Sequence, residues 1–549
     1  MKTDQKGSGI ILVSMIEREI LTVLHPEGHI GFPKGEIETT DISEEAAALR
    51  ELYEETGLTP NFLLDTDKYF FTEKYKAHEN QKQIKYFIGI ICNPYLLKNS
   101  GTLAAAWSSI NELKQNRLFL SQDVLKFIEP LIKKEIFFLA NSGKRNTYSL
   151  GNNQTYSKHA YSRIAPLKLY FDDLKIFGTP NTIDAYYIEK IIHLSKSNKN
   201  KTLFLSENNL TKCWSAVNMI PFLMTNHSEV ILETKPSGCQ IGERPIDLYL
   251  EMLKNFGHVV NNNSKGISIK FKKCIHSSIN CFLEYPSFTA TSIFIYLCLI
   301  SNVSYASLDN SSIEPEIIFL IETLQEFGFN ISINYEERKI EFYKTKRITT
   351  IKSVSIPPDR NVIVTEMIDC LTSYNSYKFN PSSMINPLLG VLDKLGFDIN
   401  SNIVSPNPVN DKGEIVEAKC GFYPKICSDW QPLLVALCLN YKLRIDIHDE
   451  VFENRYQLIK HISSVNNNVL YNIDSNNNLK IRYKNVNTIF SQEMKTFDCL
   501  NIRDGAAQLI LSKNGTITTF TNIIQIFRGY EHIDQISPNV ASQGRFLFE

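Results

Sequence analysis

Residues 31–58 read GFPKGEIETTDISEEAAALRELYEETGL and carry the most informative pattern of the chain. Near its end, Arg50 precedes three acids at positions i, i+3 and i+4, namely Glu51, Glu54 and Glu55. Residues at these spacings share one face of a helix, so the three carboxylates should crowd together. Like charges destabilise a bare helix there, and a divalent cation would relieve the repulsion. Carboxylate oxygens with room for water and phosphate suit Mg²⁺, so the pattern predicts a metal-binding helix.

The same acids allow a simpler interpretation, a solvated acidic helix face. Two features favour the metal site: Arg50 stands four residues before Glu54 and can hold its carboxylate, and the acids belong to a longer pattern. That pattern runs from Gly35 through Arg-Glu-x-x-Glu-Glu-x-Gly and ends at Gly57. It resembles the Nudix box, with one residue more than usual between Gly35 and Arg50. Asp41 or Glu38 then takes the first acidic position of the box.

The resemblance to the Nudix family covers residues 5–135. Segment 31–35, the strand at residues 86–88 and Trp107 are similar to the branch that cleaves dinucleoside polyphosphates. The resemblance implies an α/β/α sandwich in which Mg²⁺ or Mn²⁺ assists the attack of water on a phosphoanhydride in a nucleoside diphosphate linked to another group. No organic cofactor is expected. The implied metal ligands are Glu51, Glu54, Glu55 and Gly35, and the implied catalytic residues are Glu54 and Glu51.

Length and composition indicate a multidomain globular protein. At 549 residues the chain should hold at least three domains. Its 43% hydrophobic and 21% charged residues argue against long disorder and against a disulfide-stapled mini-domain. Lys and Arg total 58 against 59 Asp and Glu, so a nucleic-acid binder with a basic groove is disfavoured.

Apolar runs and cysteines predict the compartment. The longest apolar stretch, residues 292–300, is far below the ~20 residues of a membrane span, and the polar start MKTDQKGSG is no signal peptide. The 11 cysteines lack the paired short spacings of a zinc site and lie mostly in apolar runs, as reduced core residues do. We expect a cytoplasmic protein with neither a membrane nor a nucleic-acid partner.

A polar stretch and a repeat divide the rest of the chain. Residues 141–161 lack periodicity and predict a linker, which places the Nudix domain at 1–138, the linker at 139–164 and a second region at 165–549. In that region a helix pattern ends four times on an apolar residue followed by Gly or Asn, at intervals of about 70 residues. Gly and Asn tolerate the left-handed helix C-cap, so the spacing predicts repeated βαβ-type modules. The four pairs are Phe256-Gly257, Phe327-Gly328, Leu395-Gly396 and Val465-Asn466.

One cysteine differs from the others in its surroundings. Cys239 lies in a Gly-punctuated loop, residues 236–245, between a predicted strand at 230–232 and a helix that starts near Ile246. The nearby Lys235 and Arg244 would lower the pKa of an exposed thiol, so Cys239 is a candidate reactive cysteine. The alternative is an inert loop thiol.

The cysteine loop resembles the catalytic loop of UDP-N-acetylglucosamine enolpyruvyltransferases, which move enolpyruvate from phosphoenolpyruvate to a sugar hydroxyl. The similarity spans residues 174–533 and implies two lobes built from repeated βαβαββ units, in agreement with the repeat. The expected fold class is therefore α/β, a Nudix sandwich followed by a two-lobed enolpyruvyltransferase-like fold with a shortened first lobe. Further segments that resemble the family in order are 285–291, 314–317, 358–360, 428–431, 451–455, 502–503 and 528–531.

The resemblance also implies residue roles. Cys239 would be the general acid or transient covalent partner of phosphoenolpyruvate, and Asp429 the general base near the sugar hydroxyl. Arg528 would hold phosphate or carboxylate, as the geometry of a guanidinium allows. Surface salt bridges, or a helix cap for Asp429, are the structural alternatives. The implied substrate-binding residues are Asn181, Arg244, Asp247, Arg455 and Arg503.

Departures from the family leave two hypotheses for the second region. Pro180 stands where the family has a catalytic lysine, and the chain between Asn181 and Thr211 is short by most of one folding unit. Asn501 and Phe527 replace acids of the family, Thr289 a glycine, and Lys212 an arginine. The region is either an active transferase that acts on a UDP-sugar or uridine nucleotide, or a catalytically inactive module that binds a nucleotide-sugar.

Overall fold

The structure is a computed structural model that describes residues 5–77, 80–97, 101–140, 155–198, 200–206, 214–233, 246–344, 353–380, 383–406, 415–452, 455–484, 496–513 and 518–548. The chain forms two compact units. The first comprises residues 1–154, 181–186 and 491–549, and the second comprises residues 155–180 and 187–490. In the described part, no helix has both the length and the apolar content to cross a membrane.

The first unit begins with a mixed eight-stranded sheet of order β3-β2-β1-β7-β5, in which β4 pairs with β1, β6 with β7 and β8 with β2. Only β1 and β7 run parallel among these pairs, with Ile10 opposite Phe87. The strands and helices of this part are β1 (Gln5–Ser14), β2 (Ile20–Leu24), β3 (Ile30–Gly31), β4 (Lys34–Glu36), α1 (Glu44–Thr56), β5 (Phe62–Leu63), β6 (Phe70–Ala77), β7 (Asn80–Ile91), β8 (Ala104–Ser108), α2 (Ile110–Gln115) and α3 (Gln122–Ile128).

Local sequence explains why α1 starts and stops where it does. The Ser43 hydroxyl accepts a hydrogen bond from the Ala46 N–H and so caps the first turn. Gly57 ends the helix in the left-handed conformation, at φ 73°, and its N–H donates to the Tyr53 carbonyl. Between the caps, Ala48 and Leu52 are buried against the sheet in one apolar cluster with Ile10, Leu12, Leu21, Leu58, Phe87 and Ile91. Of the acids that follow Arg50 on α1, Glu54 is exposed, whereas Glu51 and Glu55 lie at the edge of this buried face and are half-buried.

The second unit repeats one supersecondary motif. Three sheets have their four strands in the spatial order first, second, fourth, third, with the first pair parallel and the others antiparallel. Each belongs to a complete βαβαββ copy within the described residues. The elements are β10 (Lys175–Phe177), α5 (Ile183–Ser197), β11 (Thr202–Leu205), α6 (Ile220–Asn226), β12 (Glu229–Leu232), α7 (Asp247–Asn255), β13 (Val259–Asn263), β14 (Gly266–Lys270), β15 (Ser278–Phe282), α8 (Phe288–Ile300), β16 (Tyr305–Asp309), α9 (Pro315–Glu326), β17 (Asn330–Asn334), β18 (Lys339–Tyr343), β19 (Ser353–Ser355), α10 (Arg360–Thr372), β20 (Tyr377–Lys378), α11 (Asn386–Lys394), β21 (Asp398–Asn400), β22 (Ile403–Ser405), β23 (Val416–Cys420), α12 (Gln431–Tyr441), β24 (Ile445–Asp449), α13 (Gln457–Val465), β25 (Val469–Ile473) and β26 (Asn478–Tyr483). Helix α5 begins in the first unit.

The predicted helix caps are confirmed at three of four positions. Gly257, Gly328 and Gly396 have φ values of 85°, 96° and 89°, and each follows the second helix of its copy. Asn466 is extended instead, at φ −130°, so the left-handed prediction is wrong there. Its side chain accepts a hydrogen bond from the Asn468 N–H at 3.0 Å, a local turn that competes with the left-handed cap.

The C-terminal residues belong to the first unit and share a sheet with the strand that follows α3. Strand β9 (Ile136–Ala140) lies between β28 (Thr518–Thr521) and β29 (Arg545–Phe548), and β27 (Thr496–Asp498) completes the order β27-β28-β9-β29. This is the same four-strand order as in the repeats, with β9 in the fourth strand's place. The remaining helices are α14 (Ile502–Ser512) and α15 (Pro538–Gln543).

Part of the predicted linker has regular structure. Residues 139–140 end β9, and the predicted linker also contains a helix, α4 (Lys158–Ile164). Its Ala160, Tyr161 and Ile164 are fully buried, but Lys158, Ser162 and Arg163 are buried as well. Polar residues on the buried side remove the apolar periodicity by which a helix is recognised. The boundaries 1–138, 139–164 and 165–549 stay a prediction.

Candidate functional sites

Two acids of α1, Glu51 and Glu55, contact strand β4 in the first unit. Glu55 accepts a hydrogen bond from the Lys34 backbone N–H at 3.1 Å. The Glu51 carboxylate lies so close to Gly35 that a Cβ there would overlap it. Gly35 is therefore the residue type that this contact requires. Its role as a metal ligand stays a prediction.

Arg50 holds the surrounding carboxylates. One of its terminal nitrogens donates to Glu51 at 2.8 Å and to Glu54 at 3.1 Å, which confirms the expected Arg50–Glu54 contact. The rest of the guanidinium forms a two-fold bond to Asp41, at 3.1 and 3.0 Å, whereas Glu38 lies 3.7 Å away. Of the two candidates for the first acidic position, Asp41 thus makes the closer contact with Arg50, because a bidentate carboxylate matches the planar guanidinium.

Burial sets the protonation of two of these acids. Desolvation raises the pKa of Glu55 to about 7, although the hydrogen bond from Lys34 opposes the shift. Desolvation also raises the pKa of Glu51, against the attraction of Arg50. Glu54 has 52% of its side chain exposed. Near neutral pH Glu55 therefore exchanges its proton, because its pKa lies close to the pH of the solution.

The donor set fits a divalent cation that is bound mostly through its own water and phosphate ligands. Glu51, Glu54 and Glu55 offer the hard oxygens that Mg²⁺ prefers, and Mg²⁺ commonly takes only one or two protein carboxylates. Across the described ranges, no three or more His, Cys, Asp or Glu side chains converge as a ready-made metal site. Arg50 instead bonds to Glu51 and Glu54, so a cation has to share these carboxylates with it.

A lysine and a histidine next to the acids were missed by the sequence analysis as functional candidates. The Lys34 ammonium donates to His25 Nε2 at 3.0 Å. Desolvation, together with the positive charge of Lys34, lowers the pKa of His25 to about 4, so the ring is neutral at pH 7 and can accept this bond. Desolvation also lowers the pKa of Lys34. Two histidines, His25 and His29, shortly before the GFPKG segment were the available signal.

In the second unit, Asp429 lies at the start of a helix with two basic side chains around its carboxylate. Arg455 donates to its Oδ1 at 2.7 Å. His159 Nε2 lies 3.8 Å from its Oδ2. The Asp429 side chain is 23% exposed, whereas that of Arg455 is 2% exposed. The structure thus brings together the predicted base and one predicted binding residue, with one carboxylate oxygen left facing His159.

A buried network of hydrogen bonds supports the helical turn at Ser428–Trp430, which contains Asp429. Arg360 bonds to Glu314 at 2.6 Å and to Glu316 at 2.9 Å, and Glu314 accepts from the Tyr423 N–H. Next to Asp429, the Trp430 indole N–H donates to Asn361 at 2.8 Å. Segments 314–317, 358–360 and 428–431, which resembled the family in order along the sequence, therefore contact one another within this unit.

Three other predicted residues lie in the first unit, where they make intramolecular contacts. Asn181 is buried, and its side chain accepts from the Asn93 N–H at 3.0 Å. Arg528 forms an ion pair with Asp184 at 3.0 Å. Arg503 lies in the first turn of α14, 5.1 Å from the centre of the Tyr530 ring. Their substrate-binding and catalytic roles stay predictions.

Asn501 and Phe527, which stand where the family has acids, make structural contacts in this chain. Asn501 caps α14 by accepting from the Arg503 and Asp504 N–H groups. Phe527 packs against Phe62, with ring centroids 5.0 Å apart. Asp247 is an exposed first residue of α7. Cys239 and Arg244 lie outside the described residues.

All nine described cysteines are free, and seven of them are buried. Burial raises the pKa of Cys427, two residues before Asp429, to about 12. A thiol with so high a pKa is a poor nucleophile near neutral pH. Cys427 therefore does not compete with Cys239 as a candidate nucleophile.

Comparisons with known proteins divide the chain in the same way as the motifs. The NUDIX domain family model matches residues 3–128, and the EPSP synthase (3-phosphoshikimate 1-carboxyvinyltransferase) model matches residues 193–368. A UDP-N-acetylglucosamine 1-carboxyvinyltransferase of Kosmotoga olearia is 27% identical over 317 residues, covering 56% of this chain and 72% of the relative. The Clostridium perfringens UDP-N-acetylglucosamine 1-carboxyvinyltransferase 1 is 28% identical over 315 residues, covering 55% and 70%.

Among solved structures, the enolpyruvyl transferase NikO of Streptomyces tendae superposes with a TM-score of 0.59 and 13% identity, covering 76% of this chain and 100% of NikO. At this identity the likeness concerns the fold. The predicted α/β fold class is thereby confirmed. The chain carries a Nudix domain at its N-terminus and an enolpyruvyltransferase-like region after it.

Proposed function

We propose that the Nudix domain is a Mg²⁺- or Mn²⁺-dependent hydrolase that cleaves a phosphoanhydride in a nucleoside diphosphate linked to another group. The observation that carries this proposal is the contact of two α1 acids with strand β4, where Glu55 accepts a hydrogen bond from the Lys34 N–H and Glu51 lies against Gly35. A family signature supplies the residue types, and the structure adds the contacts between them.

Each residue of this site has a task in the hydrolysis. Glu51, Glu54 and Glu55 would hold the ion, which neutralises phosphate charge and lowers the pKa of bound water. Arg50 keeps the Glu51 and Glu54 carboxylates in place through its hydrogen bonds. The solvent-facing Glu54 accepts the proton of the attacking water, whose oxygen bonds to phosphorus while the anhydride P–O bond breaks. The Lys34 ammonium, which donates to His25, would add a cation for the anionic phosphates.

The test is hydrolysis of a panel of nucleoside diphosphate derivatives and dinucleoside polyphosphates in ¹⁸O-labelled water. Glu54→Gln should lower kcat by about 10²-fold or more, because it removes the proton acceptor. Glu45→Gln, nine residues earlier in the first turn of α1, is the matched control and should retain activity. Chelation of divalent ions should abolish turnover, and Mg²⁺ or Mn²⁺ should restore it. Turnover that persists in Glu54→Gln, or without divalent ions, contradicts the proposal.

We further propose that the second region is an enolpyruvyltransferase acting on a UDP-sugar or uridine nucleotide. The supporting observation is the hydrogen bond between Asp429 and Arg455, which brings a candidate base and a candidate anion-binding residue together near solvent. The relatives are named for transfer to UDP-N-acetylglucosamine. Here Asp429 would take the proton of the acceptor hydroxyl as the hydroxyl oxygen bonds to C2 of phosphoenolpyruvate, and Cys239 would protonate the methylene carbon. Loss of phosphate from C2 and of a proton from the new methyl group would then form the enolpyruvyl ether.

The competing function is a catalytically inactive module that binds a nucleotide-sugar. Pro180 in place of a cationic residue favours it, because the loss of a phosphate-binding cation removes differential stabilisation of the transition state. Phosphate release from phosphoenolpyruvate, measured with UDP-N-acetylglucosamine and other uridine nucleotides in Glu54→Gln protein, separates the two functions. Release that depends on Cys239, tested with Cys239→Ala, supports the transferase. Nucleotide binding without phosphate release supports the binding module.

A further inference from the structure

A histidine outside the family-like segments lies beside the candidate base. His159 belongs to helix α4, before the region of resemblance that starts at residue 174. Its Nε2 is 3.8 Å from Asp429 Oδ2, and the two side chains are 27% and 23% exposed. A residue from the predicted linker therefore reaches the site at which a sugar hydroxyl would be deprotonated.

The backbone around His159 is anchored in the second unit. The Ser157 N–H donates to the Pro357 carbonyl at 2.8 Å, and the Lys158 N–H donates to Asp359 at 3.2 Å. One turn later, the Tyr296 hydroxyl donates to the Arg163 carbonyl at 2.5 Å. These bonds hold helix α4 in place on both sides of His159. The imidazole is thus presented by a held helix and not by a loose connection.

The surroundings of the imidazole direct it to Asp429. The Phe288 ring lies 6.3 Å from it, and the Arg163 guanidinium lies on Phe288 at 3.5 Å. Glu316 interacts electrostatically with the imidazole, and Asp429 Oδ2 lies 3.8 Å from its Nε2. Glu316 is bound by Arg360 at 2.9 Å. Asp429 is held by Arg455 through its other oxygen, so Oδ2 is the acidic oxygen that faces His159.

We propose that His159 is a positioning residue for Asp429, which holds the Oδ2 oxygen toward the hydroxyl of the bound acceptor. This inference rests on the proposed transferase function. A separation of 3.8 Å is beyond hydrogen-bond length, but catalytic hydrogen bonds are often long before the substrate binds and tighten in the complex. With Arg455 on Oδ1 and His159 at Oδ2, the carboxylate plane has two supports and cannot rotate freely away from a substrate.

The test compares His159→Ala, His159→Gln, Asp429→Asn and the double variant His159→Ala/Asp429→Asn in Glu54→Gln protein. Phosphate release from phosphoenolpyruvate with UDP-N-acetylglucosamine is followed in single turnovers. His159→Ala should lower the rate by about tenfold, with the apparent affinity for UDP-N-acetylglucosamine changed less than about twofold. His159→Gln should recover part of the rate, because an amide can still donate to Oδ2. His276→Ala, at an exposed histidine of the same unit, should have no effect.

The double variant separates positioning from a structural role. If His159 acts through Asp429, His159→Ala should cause no further loss in the Asp429→Asn protein. An equal loss in both backgrounds overturns the inference, as does a normal rate for His159→Ala. If His159→Ala does not fold, the comparison of His159→Gln in the two backgrounds decides the question in the same way. If the Glu54→Gln protein neither turns over nor binds phosphoenolpyruvate, the transferase function itself fails, and the inference fails with it.

Discussion

Neighbouring acids on α1 differ in what surrounds them, and this difference predicts how metal binding depends on pH. Burial raises the pKa of Glu55 to about 7, whereas half of the Glu54 side chain is exposed. Because a metal ligand has to be deprotonated, protons compete with the cation for Glu55. Between pH 6 and pH 8 the ionised fraction of a group with this pKa rises about tenfold. We expect the Mg²⁺ affinity, measured by titration calorimetry, to rise by about the same factor.

Glu55→Gln provides the control for this pH dependence. The variant should bind Mg²⁺ more weakly at pH 8 and should lose most of the rise between pH 6 and pH 8. Since the folded-state pKa of Glu55 is raised above its unfolded value near 4.5, its contribution to stability is present below pH 4.5 and is lost as the pH rises through about 7. Metal-free Glu55→Gln should therefore melt at a higher temperature than the unsubstituted protein at pH 8. An unchanged pH dependence would show that Glu55 does not ligate the ion.

A second residue-scale prediction concerns Asn61, which is 1% exposed. Its side-chain NH₂ donates to the carbonyls of Asn181 and Glu531 at 2.7 and 2.6 Å, and its side-chain oxygen accepts from the Cys92 N–H at 2.6 Å. Asn61→Ala leaves three backbone groups, of which those of Asn181 and Cys92 are buried, without these partners. We expect the free energy of unfolding to fall by about 2–4 kcal/mol, measured by chemical denaturation. Asn111→Ala, at an exposed asparagine of the same unit, should change it by less than about 0.5 kcal/mol.

At the scale of elements, the helix C-caps allow the cost of backbone strain to be measured alone. Gly257 has φ 85° after α7, and Gly390 lies inside α11, while a Cβ at either position would meet no atom within 4 Å. Gly257→Ala should cost about 1–2 kcal/mol, because an L-residue is strained at positive φ. Gly390→Ala should stabilise by about 0.5–1 kcal/mol through helix propensity. Equal effects in thermal unfolding would contradict the assignment of the cap.

The caps also show which elements a sequence can predict. A left-handed helix cap favours glycine for a local reason, so the spacing of Gly257, Gly328 and Gly396 predicted the repeat. The acids of the Nudix motif were predicted in the same way, because their spacing within about one helix turn is a local pattern. Helix α4 was assigned to a linker because its buried residues include Lys158 and Arg163, which interrupt the apolar pattern by which a helix is recognised. Contacts such as that of His159 with Asp429 join residues far apart in sequence. No local pattern encodes such a pairing.

At the scale of the molecule, the C-terminal residues complete the unit that holds the Nudix sheet. Phe62 of β5 stacks on Phe546 with ring centroids 3.8 Å apart, and Asp65 pairs with Arg545 at 3.0 Å. Strand β9 has β28 and β29 as its neighbours. The predicted domain at residues 1–138 would therefore lack contacts that the described first unit contains.

A chain that ends at residue 490 should retain the second unit but destabilise the Nudix sheet. Removing β28 and β29 leaves β9 without its hydrogen-bonded neighbours and exposes Phe62, which together should cost about 5 kcal/mol or more. Hydrogen exchange of the amides in β5 and β7 should be faster in the truncated chain, while exchange in β16 should be unchanged. Phe546→Ala should act in the same direction with a smaller effect. Equal protection of β5 in the truncated and full-length chains would show that the Nudix domain folds without the C-terminal residues.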